Sequence, residues 1–293
     1  MRKPSVDVVI LTMNDRPEEE SKALDSLMAQ KGVDLTIGVV GNGCIPDIVP
    51  QGALQISLPE NLGIPEGRNV GAKLFKEPGP PAEFIFFLDN DAIFPTDDVL
   101  IGLVAEARAH PEAAYIQPRL TGPDDETTPR RWVPRLRASE PAKPGTITTM
   151  TEGVVMVRRK EFDAVGGWAG EFFLYHEGID LAWKLWSLGC NGWYAAGIRM
   201  HHPITSPARH ARFYHLAARN RVWVAYRNLP RPLIPLYLGL WIAVTALRSR
   251  SGGGRESLKG LREGWAGRRR QQRRPMSWRT VLRLTKAGRP PII

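Results

Sequence analysis

Cysteine is almost absent from this 293-residue chain: Cys44 and Cys190 are too few for a disulfide framework, and neither has neighbours at zinc-ligand spacing. A reducing compartment is expected. Long apolar runs are missing as well. The most extended uncharged one, residues 233–247, is interrupted by Pro235 and Gly239 and falls short of the roughly 20 residues a spanning helix needs. The opening stretch MRKPSVDVVILTMND is broken by Asp7 and followed by no small-residue cleavage site, so it reads as a first strand and not as a signal peptide. No G-x-G-x-x-G follows that strand and no Walker lysine pattern occurs, which sets aside dinucleotide redox chemistry and P-loop hydrolysis.

What is present is enough hydrophobic residues, 43%, for a real core, and a net charge of +10 that is unevenly placed. Residues 248–293 hold 14 Lys or Arg against Glu256 and Glu263, a net +12, which leaves residues 1–247 at −2. The basicity belongs to the tail. There Leu258, Leu261 and Trp265, then Trp278, Val281, Leu282 and Thr285, recur at helical spacing among arginines, as in a helix lying in a membrane surface. An anionic membrane is the expected partner, with the protein on the cytoplasmic face. Nucleic acid is not, since no recognised binding module accompanies the charge.

Residues 6–11, 35–40 and 84–88 are short, nearly continuous apolar runs, the pattern of parallel strands covered on both faces. Helical patterns lie between and after them, at Ala23, Leu24, Leu27 and Met28, at 70–75, and at Leu100, Leu103, Val104 and Ala107 behind Thr96-Asp97-Asp98. Such alternation predicts an α/β fold with a doubly wound, mostly parallel sheet, whose ligands bind beyond the carboxyl ends of the strands. Residues 121–145, rich in Pro, Arg and Asp, read as a long loop over a site. A strand is expected at 153–157 and a helix at 179–188, with Trp183 and Trp186 in the core. The division expected is 1–230, in halves 1–117 and 118–230, followed by an apolar and basic helical extension at 231–293.

The third apolar run drives straight into Asp89-Asn90-Asp91. In an extended segment Asp89 and Asp91 point the same way. Two such charges about 4 Å apart cost roughly 4 kcal/mol at an effective dielectric near 20, a cost that a divalent cation would reverse. Gly63, Gly67 and Gly71 flank Arg68 and Asn69 at a helix start, a setting for diphosphate, although the glycines could also serve close packing. Glu177 and Asp180 stand at another helix start after Phe172, Phe173 and Tyr175, where aromatic surface can raise a carboxyl pKa toward the range of a general base; either could instead cap the helix. His201, with His202 beside it, could complete an oxygen-rich metal site begun by Asp91.

In order along the chain, a strand ending in Thr12 and Asn14, a second ending in Asn42-Gly43, Asn61-Leu-Gly63 with Gly67-Arg68-Asn69-Val-Gly71, Asp89-Asn90-Asp91, FFLYHEGIDL from Phe172 to Leu181, and His201 together resemble the family 2 glycosyltransferases of GT-A fold, most of all the bacterial rhamnosyltransferase type. The resemblance covers roughly residues 5–230. It implies an inverting transferase that moves a sugar from a nucleoside-diphosphate donor (dTDP-, UDP- or GDP-linked) to a hydroxyl acceptor, lipid-linked ones included, on a cell-envelope glycan, glycolipid or polysaccharide precursor. It implies Mn²⁺ or Mg²⁺ at Asp91, Asp89 and His201. It places Thr12, Asn14, Asn42, Asn61, Gly67, Arg68, Asn69, Asp89 and Asn90 along the donor, with Glu177 as the base and Asp180 second. Two departures stand out: Gly41 replaces the acid usual before the Asn that matches Asn42, and Gly178 replaces the second acid of the usual Glu-Asp pair. The second departure motivates one rival, a catalytically silent nucleotide-sugar binder of the same fold; a lesser rival, a sugar nucleotidyltransferase, shares the α/β sheet and metal-binding acids but would carry a glycine-rich, basic loop after the first strand, where this chain has Thr12-Met-Asn-Asp15.

Overall fold

The computed structural model describes residues 3–75, 81–123, 127–136, 140–206, 212–248 and 253–293. Its first half runs β1 (Ser5–Thr12), α1 (Pro17–Met28), β2 (Asp34–Asn42), β3 (Leu54–Leu58), α2 (Ile64–Leu74), β4 (Phe84–Leu88), α3 (Val99–Ala109) and β5 (Ala113–Thr121). It continues with β6 (Gly145–Ile147), β7 (Val154–Arg158), α4 (Arg159–Ala164), α5 (Glu177–Ser187), β8 (Asn191–His201) and α6 (Phe213–Asn228). The last three elements are α7 (Leu233–Arg248), α8 (Gly254–Gly267) and α9 (Trp278–Lys286).

Among the described residues one eight-stranded sheet has the order β3-β2-β1-β4-β7-β5-β8-β6. β1 pairs in parallel with β2 and β4, β2 with β3, and β5 with β8, whereas β7 runs antiparallel between β4 and β5, and β6 is an antiparallel edge. The expected α/β sheet is therefore present. Alternation along its strands builds two cores, one on each face. Val9, Ile85 and Phe87 enter the first; Val8, Ile10, Phe84, Phe86 and Leu88 enter the second. Burial on both faces is why these strands lack polar alternation. The seam expected at 117/118 falls inside β5, and β7 inserts between strands of the first half, so both halves share one sheet.

The start of α3 is held from outside. Asp98 supplies no side-chain cap, and the Gln30 side-chain oxygen Oε1 accepts from Leu100 N–H at 3.0 Å instead. Trp183 and Trp186 are buried in the first core, as their spacing implies.

The basic extension is not a solvated arm. Met276 and Leu284 belong to the first core, and Arg283 donates to the carbonyls of Trp186 (3.0 Å), Gly189 (2.7 Å) and Cys190 (2.9 Å). Residues 249–252 of this stretch lie outside the described residues. Among the described residues no helix is long and apolar enough to cross a membrane.

Candidate active site

β4 ends at Leu88 and the chain turns at once, Ala92 N–H donating to Asp89 O at 3.1 Å. The extended geometry expected for Asp89 to Asp91 gives way to this tight turn, yet both carboxylates still converge. Asp89 Oδ1 accepts from Arg68 Nη2 at 2.7 Å, and Asp91 pairs with Arg16. His202 Nε2 lies 3.5 Å from Asp89 Oδ2 and 3.2 Å from Asp91 Oδ1. One ligand atom from each of Asp89, Asp91 and His202 falls within 4.8 Å of the others.

These three donors suit a divalent cation of the Mg²⁺ or Mn²⁺ kind, two carboxylate oxygens and an imidazole nitrogen. His202 Nδ1 lies 2.9 Å from Pro203 O, an oxygen that only accepts, so Nδ1 carries a proton; Nε2 faces the acids, donating to them when protonated and offering its lone pair when a cation takes the place of that proton. Trp132 packs edge-on against this ring, centroids 5.4 Å apart. The loop foreseen at 121–145 thus reaches the site through Trp132, while residues 124–126 and 137–139 lie outside the described residues. Burial works against ionisation of Asp89, but the N–H of His202 and the Arg68 guanidinium outweigh it and hold the carboxyl at about 2. Burial likewise opposes charge on His202, and the two aspartates overcome it and raise its pKa.

His201, expected as the ligand, does not reach the acids. It closes β8, exchanges backbone hydrogen bonds of 2.9 Å with Ile93, and has a buried Nε2 with no hydrogen-bond partner. Consecutive residues leave an extended chain on opposite sides, so only one of the two histidines can face the carboxylates, and it is His202.

Two cavities meet at Asp89 and His202. The first, about 280 Å³, is lined by Thr12, Asn42, Arg68, Asn90 and Asp91 together with that pair. The second, about 200 Å³, brings Trp132, Thr151, Glu152 and Tyr175 to the same two residues. Both lie where β1 and β4 end, as the sheet topology predicts for a ligand.

Other expected donor residues serve the scaffold. Asn14 ties down the 45–47 segment, donating to Ile45 O at 2.8 Å and accepting from Asp47 N–H at 3.2 Å. Asn61 Oδ1 accepts from Asn42 Nδ2 at 3.0 Å and from Gly63 N–H at 2.8 Å, fixing the turn into α2. Gly67 lets α2 close on β1, since a Cβ there would stand 3.3 Å from Leu11 Cγ and closer still to its methyl. Asn69 straps Trp168, donating to its carbonyl at 3.0 Å and accepting from its N–H at 2.9 Å. Gly41 has a comparable reason: a side chain there would meet the Cys44 backbone and lie 2.7 Å from Pro46 Cδ.

Neither expected base lines either cavity. Asp180 is fully buried, with Oδ1 accepting from Arg227 Nε at 2.9 Å and Asn228 Nδ2 at 2.7 Å, and Oδ2 lying 2.7 Å from Lys184 Nζ. Burial opposes its charge, but Lys184 and Arg227 prevail and lower its pKa, which makes it a structural anion. Glu177 is 1% exposed; burial, reinforced by the neighbouring Glu152 charge, pushes its pKa well above the carboxylate range. The loop ahead of it is strained, with Phe173, Tyr175 and His176 all at positive φ (64°, 74° and 69°). Asn220 holds it by donating to Phe172 O, Leu174 O and Tyr175 O at 2.9, 2.7 and 2.8 Å. Backbone strain of this kind concentrates at functional sites.

Beyond the residues expected there, Arg16 and Glu152 also line the site, and of the two adjacent histidines it is His202 that does. Of Arg16 and Glu152, only the latter had a signal, the missing acid at Gly178. Gly178 N–H donates to Glu152 Oε1 at 3.0 Å, and a Cβ on Gly178 would stand 2.5 Å from Glu152 Cγ.

The family model for Glycosyl transferase family 2 matches residues 7–167, more than half of the chain. The chain belongs to that family. Its structural neighbours are GT-A glycosyltransferases. A crystal structure of GalNAc-T7 with UDP, GalNAc and Mn²⁺ superposes with a TM-score of 0.61 at 15% identity, covering 89% of this chain and 54% of that one, so this chain spans about half of that neighbour. The mannosyltransferase PcManGT from Pyrobaculum calidifontis, in complex with GDP-Man and Mn²⁺, gives 0.59 at 16% identity, covering 92% and 88%. Residues 1–349 of S. aureus TarS with UDP give 0.58 at 16% identity, covering 86% and 74%. Likeness at this identity speaks for the fold alone. No curated protein matches the chain.

Proposed function

We propose that this family member is an inverting, metal-dependent glycosyltransferase that moves a hexosyl or deoxyhexosyl unit from a nucleoside-diphosphate sugar to a hydroxyl acceptor. The observation that carries this reading is the meeting of Asp89, Asp91 and His202 at one point, between a cavity walled by Thr12, Asn42 and Arg68 and a second cavity on the far side. The donor is assigned to the first cavity and the acceptor to the second. Asp89, Asp91 and His202 would hold Mn²⁺ or Mg²⁺, which when bound neutralises the diphosphate and the charge growing on it as it leaves. Arg68 is 2% exposed, and its Nη1 has no hydrogen-bond partner, which leaves a buried donor for a phosphate oxygen. Inversion follows from a single displacement, in which the acceptor oxygen attacks from the face opposite the leaving phosphate. The neighbours solved with UDP or GDP-Man and Mn²⁺ support the donor class.

The reading extends to a cell-envelope glycan, glycolipid or polysaccharide precursor as acceptor, met at the cytoplasmic face of a membrane. Exposed Leu236, Leu240 and Ile242 on α7, Leu258 and Trp265 on α8, and Trp278 and Leu282 on α9 support surface docking, interleaved with exposed Arg262, Arg269, Arg270 and Arg279.

Thermal unfolding with UDP, GDP and dTDP, with and without Mn²⁺ or Mg²⁺, tests the proposal. One nucleotide is expected to raise the midpoint only with the cation, by about 2.7 kcal/mol of stability at 100-fold excess over Kd. The proposal fails if no nucleotide stabilises the protein with either ion, or if donor turnover proceeds at full rate in excess chelator.

A further inference from the structure

Gly178 raises a chemical problem that the transferase reading must solve. A single displacement needs a carboxylate on the acceptor side to take the hydroxyl proton, and the family resemblance puts an acid where this chain has Gly178. The two acids nearest in sequence do not serve. Asp180 is locked by Arg227, Asn228 and Lys184, and Glu177 is buried outside both cavities.

The space of the missing side chain is not empty. A Cβ built on Gly178 would stand 2.5 Å from Glu152 Cγ, 3.0 Å from its Oε1 and 3.1 Å from its Cδ. Glu152 comes from a different element, the turn that leads into β7, and its side chain occupies the volume that a residue at 178 would claim. The Gly178 N–H fixes it by donating to Oε1 at 3.0 Å. Glu152 also lines the second cavity with Asp89 and His202, on the side away from Thr12 and Asn42. Glycine at 178 is what allows this approach, because any larger residue there would collide with the Glu152 chain.

We infer that Glu152 is the acceptor-activating base, a carboxylate supplied from the β7 turn in place of one on α5. This rests on the transferase reading above. In the step it serves, the acceptor O–H bond breaks and its proton passes to a Glu152 carboxylate oxygen. The acceptor oxygen forms a bond to the anomeric carbon of the donor, and the bond from that carbon to the phosphate oxygen breaks, its electron pair leaving with the nucleoside diphosphate. Glu152 then returns the proton to solvent.

The test uses whichever UDP-, GDP- or dTDP-linked hexose is bound with Mn²⁺, and follows release of nucleoside diphosphate by the full chain. Glu152→Gln is expected to bind the donor within about two-fold of wild type and to lose turnover by roughly 10²- to 10⁴-fold, the range of a positioned base. Moving the carboxylate back supplies the second arm. Glu152→Ala/Gly178→Asp is expected to turn over at least about ten-fold faster than Glu152→Ala alone, a rescue that a purely structural role for Glu152 would not produce. Wild-type turnover in Glu152→Gln would overturn the assignment, as would a double variant that melts like wild type yet is no faster than Glu152→Ala. In both cases the transferase reading would stand. If the wild-type chain binds donors and turns over none of them, the transferase reading falls, and the base with it.

Discussion

Gly153 gives the sharpest handle on the acidic site, because its replacement perturbs one carboxylate and little else. Its carbonyl accepts from Asp89 N–H at 2.8 Å, so the two backbones are in register, and its φ is not among the positive ones that favour glycine. A Cβ at 153 would nevertheless fall on the Asp89 carboxylate, inside contact with Oδ2 and 2.6 Å from Cγ. Carbon atoms rest at about 3.5–4.0 Å, so Asp89 must rotate its carboxyl away by roughly 1 Å. The side chain can do so without moving the strand, and Gly→Ala at an unstrained site tends to add about 0.4–1 kcal/mol through the unfolded state. Stability should therefore hold or rise slightly. Binding should not, because ligand distances tolerate only about 0.2 Å, and a 1 Å misplacement at such a site costs on the order of 10²-fold, about 2.7 kcal/mol. Calorimetric titration of Gly153→Ala with UDP or GDP in the presence of Mn²⁺, beside its melting curve, reads both quantities. A variant that melts like wild type and binds the Mn²⁺-nucleotide equally well would show that the Asp89 carboxylate takes no part in the site.

His202→Ala is expected to lower Mn²⁺-dependent nucleotide binding at least about ten-fold, while His201→Ala leaves that affinity unchanged; the reverse pattern in parallel titrations would return the ligand role to His201. Asp7, 4% exposed beside Arg159, is raised to about 6, because burial outweighs the guanidinium and a backbone N–H. A carboxyl raised on folding stabilises most below its unfolded pKa near 3.8 and loses that contribution as pH climbs through 6. Wild type should thus gain up to about 3 kcal/mol over Asp7→Asn between pH 7 and pH 4, and denaturant melts showing a pH-independent gap would contradict this. Trp265→Ala/Trp278→Ala, or charge reversal at Arg262, Arg269 and Arg270, should weaken sedimentation with anionic liposomes at about 1 kcal/mol per charge, and undiminished binding would move any membrane contact away from α8 and α9. These exposed substitutions are preferable to removing the tail, because Met276 and Leu284 are core residues and truncation would open the fold.

The sequence exposed a good deal of this design. Runs such as 84–88 announced strands because both faces of the sheet are covered, and the period of Leu100, Leu103, Val104 and Ala107 announced a helix because only one face of it is. The placing of Asp89 and Asp91 just past a strand was enough to locate the cleft, since carboxylates at such an end face the mouth of the sheet. The order of these motifs along the chain was enough to indicate the family. Those inferences needed only local periodicity and chain order.

Pairing across distance was another matter. Arg16 reaches Asp91 over 75 positions, and the choice between His201 and His202 turned on which side of an extended chain each one leaves. Thr12, Asn42 and Arg68 were found at the cleft, but Asn14, Asn61 and Asn69 spend their amides holding turns, a use that the same letters cannot distinguish. Glu177 and Asp180 were read as candidate bases because a helix begins there, yet both are buried, Asp180 against Arg227 and Asn228 of α6. Glu152 had only an indirect signal, since its importance comes from the hole that Gly178 leaves 26 positions away. Which atoms converge is set by the packing of segments that share no sequence proximity, and that information exists only once the chain is folded.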